Sequence, residues 1–70
     1  MLPLTLANNG ETFTILRLGG SAEVKKHLED LGFVAGGDVQ VINTVSGNII
    51  VNVKDTRVAI SKELAAKIMV

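Results

Sequence analysis

A chain of 70 residues with Lys+Arg and Asp+Glu at 7 each and no cysteine cannot be a disulfide scaffold or hold a thiolate metal site, and it carries no net field to gather phosphate backbones or anionic membranes. This length makes one small domain, residues 1–70, whose single core supplies only about 3–5 kcal/mol. Phe13 and Phe33 are the only aromatics, which removes the stacking platforms of single-stranded nucleic-acid binders, so nucleic acid is not expected as a partner.

The apolar fraction of 47% is spread in short runs, none near the ~18–20 residues that a membrane span needs. The start, Met1-Leu2-Pro3-Leu4, lacks the basic segment of an export signal. A soluble, unprocessed protein without direct membrane insertion is expected, and the lack of cysteine permits a reducing, cytosolic location. Leu2, Leu4 and Leu6 recur with a period of two, which predicts an extended segment with its leucines on one side, limited by Pro3 to an edge or a strand start. Asn8-Asn9-Gly10 turns the chain. Thr12 to Leu18 predicts a strand with Phe13 and Ile15 on one face and Leu16 and Leu18 on the other, so it is either covered on both sides or bulged.

Gly19-Gly20 breaks that strand and releases a helix. Val24, Leu28 and Leu31 fall at i, i+4 and i+7, one apolar stripe, while Glu23, Lys25, Lys26, Glu29 and Asp30 take the other faces. Ser21 is a suitable N-cap, and Glu23 complements the positive end of the helix dipole. Gly32 can adopt the positive φ of a helix stop, with Phe33 folding back on the last turn in a Schellman motif. The helix is therefore expected to end near Leu31.

Ala35-Gly36-Gly37-Asp38 makes a turn, after which Val39, Val41, Asn43 and Val45 are placed on one face and Gln40, Ile42 and Thr44 on the other. Ser46-Gly47 is a two-residue hairpin signal, so the segments 38–44 and 48–53 are expected to pair antiparallel. Lys54-Asp55-Thr56 turns the chain again. Val58 and Ile60 belong to a short strand, and Ser61 caps a last helical turn before Ile68, Met69 and Val70. The whole predicts a mainly β fold: about five short strands in a small closed or nearly closed barrel, with a helical insertion between early strands and a short C-terminal helical turn.

Chemistry-bearing constellations are sparse. His27, with Glu23 at i−4 and Asp30 at i+3, could contribute to a metal site, but one imidazole without thiolates supplies too few convergent ligands for a tight one, leaving only weak sites or sites shared between molecules. Charged residues at these spacings are ordinary solvated helix surface. Gly19-Gly20-Ser21 ahead of a helix matches neither phosphate-binding glycine motif and is better explained as a tight connection. Ser21, Ser46 and Ser61 share one candidate base, His27, and each is better explained as a cap or turn residue, so no catalysis and no cofactor are expected. The corner from Leu31 to Gly37 has two readings of equal weight. It is a partner-binding patch, or Phe33 merely staples the helix to the barrel, with Phe33 buried and Val34 the more exposed.

Leu31-Gly32-Phe33-Val34-Ala35-Gly36, followed by Val39 and Val41, resembles the "LGFxPG…V.V" signature of the FeoA family. The resemblance runs over the whole chain, through Leu4-Thr5-Leu6, Gly10-Glu11, Leu18-Gly19-Gly20, Gly47 and Ala59-Ile60 with Ala65 and Ile68. It implies an SH3-like barrel with a helical insertion. It also implies a non-catalytic role as cytoplasmic accessory to FeoB, a ferrous-iron transporter with a cytosolic GTPase domain. The partner-binding residues would then be Leu31, Phe33, Val34, Ala35 and Gly36. Ala35 stands where proline is common in the family, and Asp55 where glycine is frequent. The other reading is an SH3-like C-terminal regulatory domain of an iron-dependent transcriptional repressor, since such domains share this fold.

Overall fold

Pro3 is extended (φ −69°, ψ 149°), but the chain coils directly after it. In the computed structural model, which describes every residue from Met1 to Val70, Leu4–Leu6 forms one 3-10 turn. Its bonds run from Leu6 N–H to the Pro3 carbonyl (2.9 Å) and from Ala7 N–H to the Leu4 carbonyl (3.0 Å). The expected strand with three leucines on one side is therefore corrected. Only Leu2 and Pro3 pair as strand: Leu2 and Val70 exchange two backbone bonds of 2.8 Å, and Pro3 bridges Met69. Burial is the reason. Coiling drops Leu4 into the core and leaves Leu6 70% exposed, whereas a period-two segment would hold both on the same side.

The segment from Thr12 to Leu18 divides into two strands of different sheets, β1 (Thr12–Thr14) and β2 (Arg17–Leu18). The change of sheet occurs at Ile15-Leu16, where Ile15 N–H donates to the Gly37 carbonyl and Leu16 N–H to the Met69 carbonyl, both at 2.8 Å. This switch replaces the expected single strand and accounts for apolar residues on both faces. Ile15 and Leu18 both turn inward, and Leu16 is left 55% exposed.

Helix α1 (Ala22–Leu31) follows the expectation at both ends. Ser21 Oγ accepts the Val24 N–H at 3.3 Å. Leu28 is buried and Val24 and Leu31 half-buried, while the charged residues between them are exposed. At the stop Gly32 takes φ 109° and ψ 0°. Its N–H donates to the Glu29 carbonyl (3.0 Å), and Phe33 N–H donates to the Leu28 carbonyl (2.9 Å), the bond pair of a Schellman motif.

Strands β3 (Asp38–Val45) and β4 (Asn48–Val53) form the antiparallel hairpin. Ser46 and Gly47 turn it with φ 47° and 84°, both positive as a type I′ turn requires. The register contains one irregularity. Val41 faces Val51 and Asn43 faces Ile50, so Ile42 is an extra residue on β3, a bulge that exchanges the faces beyond it. Val39 and Val41 are buried, but Val45, expected on their side, is 45% exposed and Asn43 is exposed too. The single-faced pattern through Val45 is thus corrected.

Strand β5 (Thr56–Ser61) returns along β4 through Lys54 and Asp55, at φ 50° and 61°. The second helix, α2 (Lys62–Ala65), is capped by Ser61 Oγ, which accepts the Leu64 N–H at 3.3 Å. The last strand, β6 (Ile68–Met69), pairs antiparallel with β2. The architecture is a four-stranded sheet in the order β1-β3-β4-β5 and a two-stranded sheet β2-β6, six short strands where about five were expected, with α1 inserted between β2 and β3. One cluster of 13 buried residues, all apolar, lies between them and draws on both sheets, both helices and Phe33. Burial of apolar area is accordingly the main force holding the elements together.

Candidate functional site

The corner begins where α1 stops. Because Gly32 reverses the chain, Phe33 enters the core with no exposed surface, while Val34 is half-buried and Ala35 and Gly36 are exposed. Gly37 N–H donates to the Val34 carbonyl at 3.0 Å, closing a four-residue turn whose third residue, Gly36, has φ 89°. That geometry is a type II turn, which needs positive φ at its third position and favours proline at its second. Ala35 occupies that second position. Two further bonds of 2.8 Å, from Gly36 N–H to the Ile15 carbonyl and from Ile15 N–H to the Gly37 carbonyl, tie the turn to the end of β1. The backbone of the corner is therefore anchored without the proline.

A direct prediction follows for the turn. The Ala35 N–H takes part in none of the turn and loop bonds, so Ala35→Pro removes no partner and restricts only the unfolded chain. It should raise stability by about 0.5–1 kcal/mol, read as a higher urea midpoint at unchanged slope. A lowered midpoint would mean that φ at this position is far from that of proline.

Of the five residues expected to meet a partner, the corner brings together two exposed ones, Ala35 and Gly36, and two half-buried ones, Leu31 and Val34. Phe33, expected among the contact residues, is corrected: it has no exposed surface and lies in the core beneath the corner. Val34 Cγ2 lies 3.2 Å from where a Cβ on Gly37 would stand, so its side chain is folded back over its own turn.

Beside the corner runs a feature that sequence reasoning missed. A shallow groove of about 320 Å³ is lined by Thr12, Asp38, Val39, Gln40, Asn52, Lys54 and Asp55. Thr12, Gln40 and Asn52 stand side by side on neighbouring strands. Thr14 Oγ1 donates to Asp38 Oδ1 at 3.4 Å, and Gln40 Nε2 donates to the Gly10 carbonyl at 3.5 Å. The available signal was the run of polar residues at alternate positions of each strand, which lines up only once the register is known. The groove holds amides, hydroxyls and charges of both signs, but no imidazole or thiol. It can hydrogen-bond a surface laid on it.

The other candidate groups are apart. His27 is exposed on α1, and nowhere do three or more His, Asp or Glu side chains gather as a metal ion would require. Ser21 and Ser61 use their hydroxyl oxygens as helix caps, and Ser46 sits in the hairpin turn. No helix is long and apolar enough to cross a membrane.

Comparison with known proteins places these features in a family. A family model described as FeoA domain matches residues 2–70. A protein of Methanocaldococcus jannaschii named Fe(2+) transport protein A is 31% identical over 70 residues, covering 100% of this chain and 85% of that protein. The crystal structure of an iron uptake regulatory protein (FeoA) superposes with a TM-score of 0.89 at 29% identity, covering 97% of this chain and 90% of that one. A manganese-dependent transcriptional repressor contains the same fold, with a TM-score of 0.85 at 19% identity over 94% of this chain and 38% of the repressor. The mainly β SH3-like architecture with one inserted helix is thus common to transport and repressor proteins.

Proposed function

The chain belongs to the FeoA family, and from that premise we propose that it is a cytoplasmic accessory of ferrous-iron transport that binds the cytosolic portion of a FeoB-type transporter. The observation that carries this reading is the family match over residues 2–70. The protein acts by presenting a surface and not by catalysis. Iron is the transporter's cargo, and His27 is left for at most a weak metal contact or one shared between molecules. The surface assigned to the transporter is the corner of Leu31, Val34, Ala35 and Gly36, shaped from beneath by Phe33.

Ala35→Asp tests this assignment more cleanly than a change at the half-buried Val34. An exposed alanine can be exchanged for aspartate at little cost to the fold, while a desolvated charge opposes an apolar contact by several kcal/mol. The variant should keep the wild-type melting transition and lose at least about tenfold in affinity for the purified cytosolic portion of the transporter, a change of about 1.4 kcal/mol. Undiminished binding by the folded variant would move the interface off the corner. If the wild-type chain binds neither the nucleotide-free nor the GTP-bound transporter, the repressor-domain reading becomes the stronger one, in keeping with the fold shared with the manganese-dependent repressor.

A further inference from the structure

The four-stranded sheet ends in an open edge. Lys62 N–H donates to the Gly47 carbonyl at 3.2 Å, and the pairing continues through Ile60↔Ile49, Val58↔Val51 and Thr56↔Val53. In an antiparallel ladder every second pair exchanges backbone bonds, so Thr56, Val58 and Ile60 direct theirs to β4. The N–H and C=O of Arg57 and Ala59 therefore point away from the sheet. No strand lies beyond β5, and no turn or loop bond takes these four groups. A row of unpaired backbone groups is a template for a further strand.

The usual means of blunting such an edge are missing from the middle of β5. It runs for six residues without proline or bulge, and Val58-Ala59-Ile60 carries no charge. The opposite edge differs: β1 has three residues, its outward-directed residues are Thr12 and Thr14, and the chain leaves the sheet at Ile15. The surface next to the β5 edge is mixed, with the apolar pair Ile50 and Ala59 between the polar pairs Asn52 with Arg57 and Asn48 with Ser61. Exposed Ala59 stands across from half-buried Ile50, and Val45, turned outward by the bulge, is 45% exposed on that same face.

We propose that this edge docks a second copy of the chain, β5 against β5 in antiparallel sense about a two-fold axis at Val58, so that two four-stranded sheets become one. Arg57 exchanges both backbone bonds with Ala59 of the partner subunit, and Ala59 exchanges both with Arg57 of the partner subunit. Self-complementarity favours a copy over another protein. The two-fold sets each donor against an acceptor, and it brings half-buried Val58 against the partner's Val58 as a non-hydrogen-bonded pair, where side chains approach most closely. Arg57 faces an alanine and not its own copy. A formal net charge of zero leaves no overall repulsion between the chains. One strand pair buries less than the ~1,200 Å² of stable interfaces, so the dimer is a weak one.

Sedimentation equilibrium and amide-resolved NMR of the full chain, from about 20 µM to about 1 mM, cover the range in which an interface of this size assembles. The mass should rise towards twice that of the monomer, with shift changes and slowed amide exchange concentrated at Arg57 and Ala59. Ala59→Lys places a charge on an exposed edge position and should keep the melting transition while remaining monomeric throughout. Should that variant not fold, the concentration dependence of Arg57 and Ala59 amide exchange in the wild type decides the matter alone. A mass independent of concentration would overturn the proposal, as would a folded Ala59→Lys protein that still dimerises. Growth beyond the dimer, which indicates β5 seated on the β1 edge of the next molecule, would also overturn it. So would a wild-type monomer whose Arg57 and Ala59 amides become protected only when the transporter's cytosolic portion is added, and that last result would leave the function proposed above standing.

Discussion

Phe33→Ala should leave the chain largely unfolded at 25 °C. The ring is the largest side chain with no exposed surface, and truncating a core phenylalanine costs about 3–5 kcal/mol in lost transfer energy and residual cavity. A single core in a domain of this size supplies about the same amount. Far-UV circular dichroism and the dispersion of amide proton shifts should both collapse, whereas Phe33→Leu, which keeps most of the volume, should remain folded with a loss below about 1.5 kcal/mol. A cooperative urea transition near the wild-type midpoint in Phe33→Ala would show that the corner is not part of the core. The expectation also bears on function. Loss of partner binding by Phe33→Ala says nothing about an interface, because the residue presents no surface, and for that reason the binding test belongs at Ala35.

Gly20→Ala should cost about 2–3 kcal/mol, the sum of two effects of similar size. Gly20 holds φ +91°, a left-handed conformation that costs an alanine about 1 kcal/mol. An added Cβ would also stand 3.1 Å from Val24 Cγ1 and 3.2 Å from Val24 Cβ. Val24 is β-branched and in the first turn of α1, so its χ1 has little freedom to yield, and overpacking of this kind adds about 1 kcal/mol or more. Gly32 supplies the comparison. It has φ +109° but its nearest neighbours, the Val53 methyls, would be at 3.7 Å, so Gly32→Ala carries only the conformational cost of about 1 kcal/mol. Urea denaturation of the two variants should separate them clearly. Equal losses would mean that Val24 moves aside and that the crowding at the helix entrance has no weight.

These sites also mark how far a linear reading reaches. The start and stop of α1, the Ser46-Gly47 hairpin, the Ser61 cap and the burial of Phe33 below a more exposed Val34 were all legible, and so was the corner as a distinctive unit. In each case the deciding bond joins residues at most five positions apart: Val24 to Ser21, Phe33 to Leu28, Leu64 to Ser61. Such contacts follow from residue type and spacing, because the chain cannot place the partners elsewhere once the local conformation is chosen.

What the amino-acid sequence determined by itself is therefore the two helices with their caps, the hairpin turns, and the family motif at the helix stop. Tertiary structure decided which face each element shows. The 3-10 turn at Leu4–Leu6, the sheet switch at Ile15-Leu16 and the bulge at Ile42 each reverse the inside and outside of a period-two pattern. The first two are set by partners far along the chain, Leu2 with Val70 and Leu16 with Met69, and the third by the register of β3 on β4. The polar groove of Thr12, Gln40 and Asn52 and the open edge at Arg57 and Ala59 have the same origin, since a row across strands, or a strand without a neighbour, exists only after pairing. A period of two specifies alternation but not its phase, and a one-residue shift moves every side chain to the opposite face. The phase is chosen by which arrangement buries Leu4, Ile15, Val41 and Ile68 together, a condition imposed by the whole core at once.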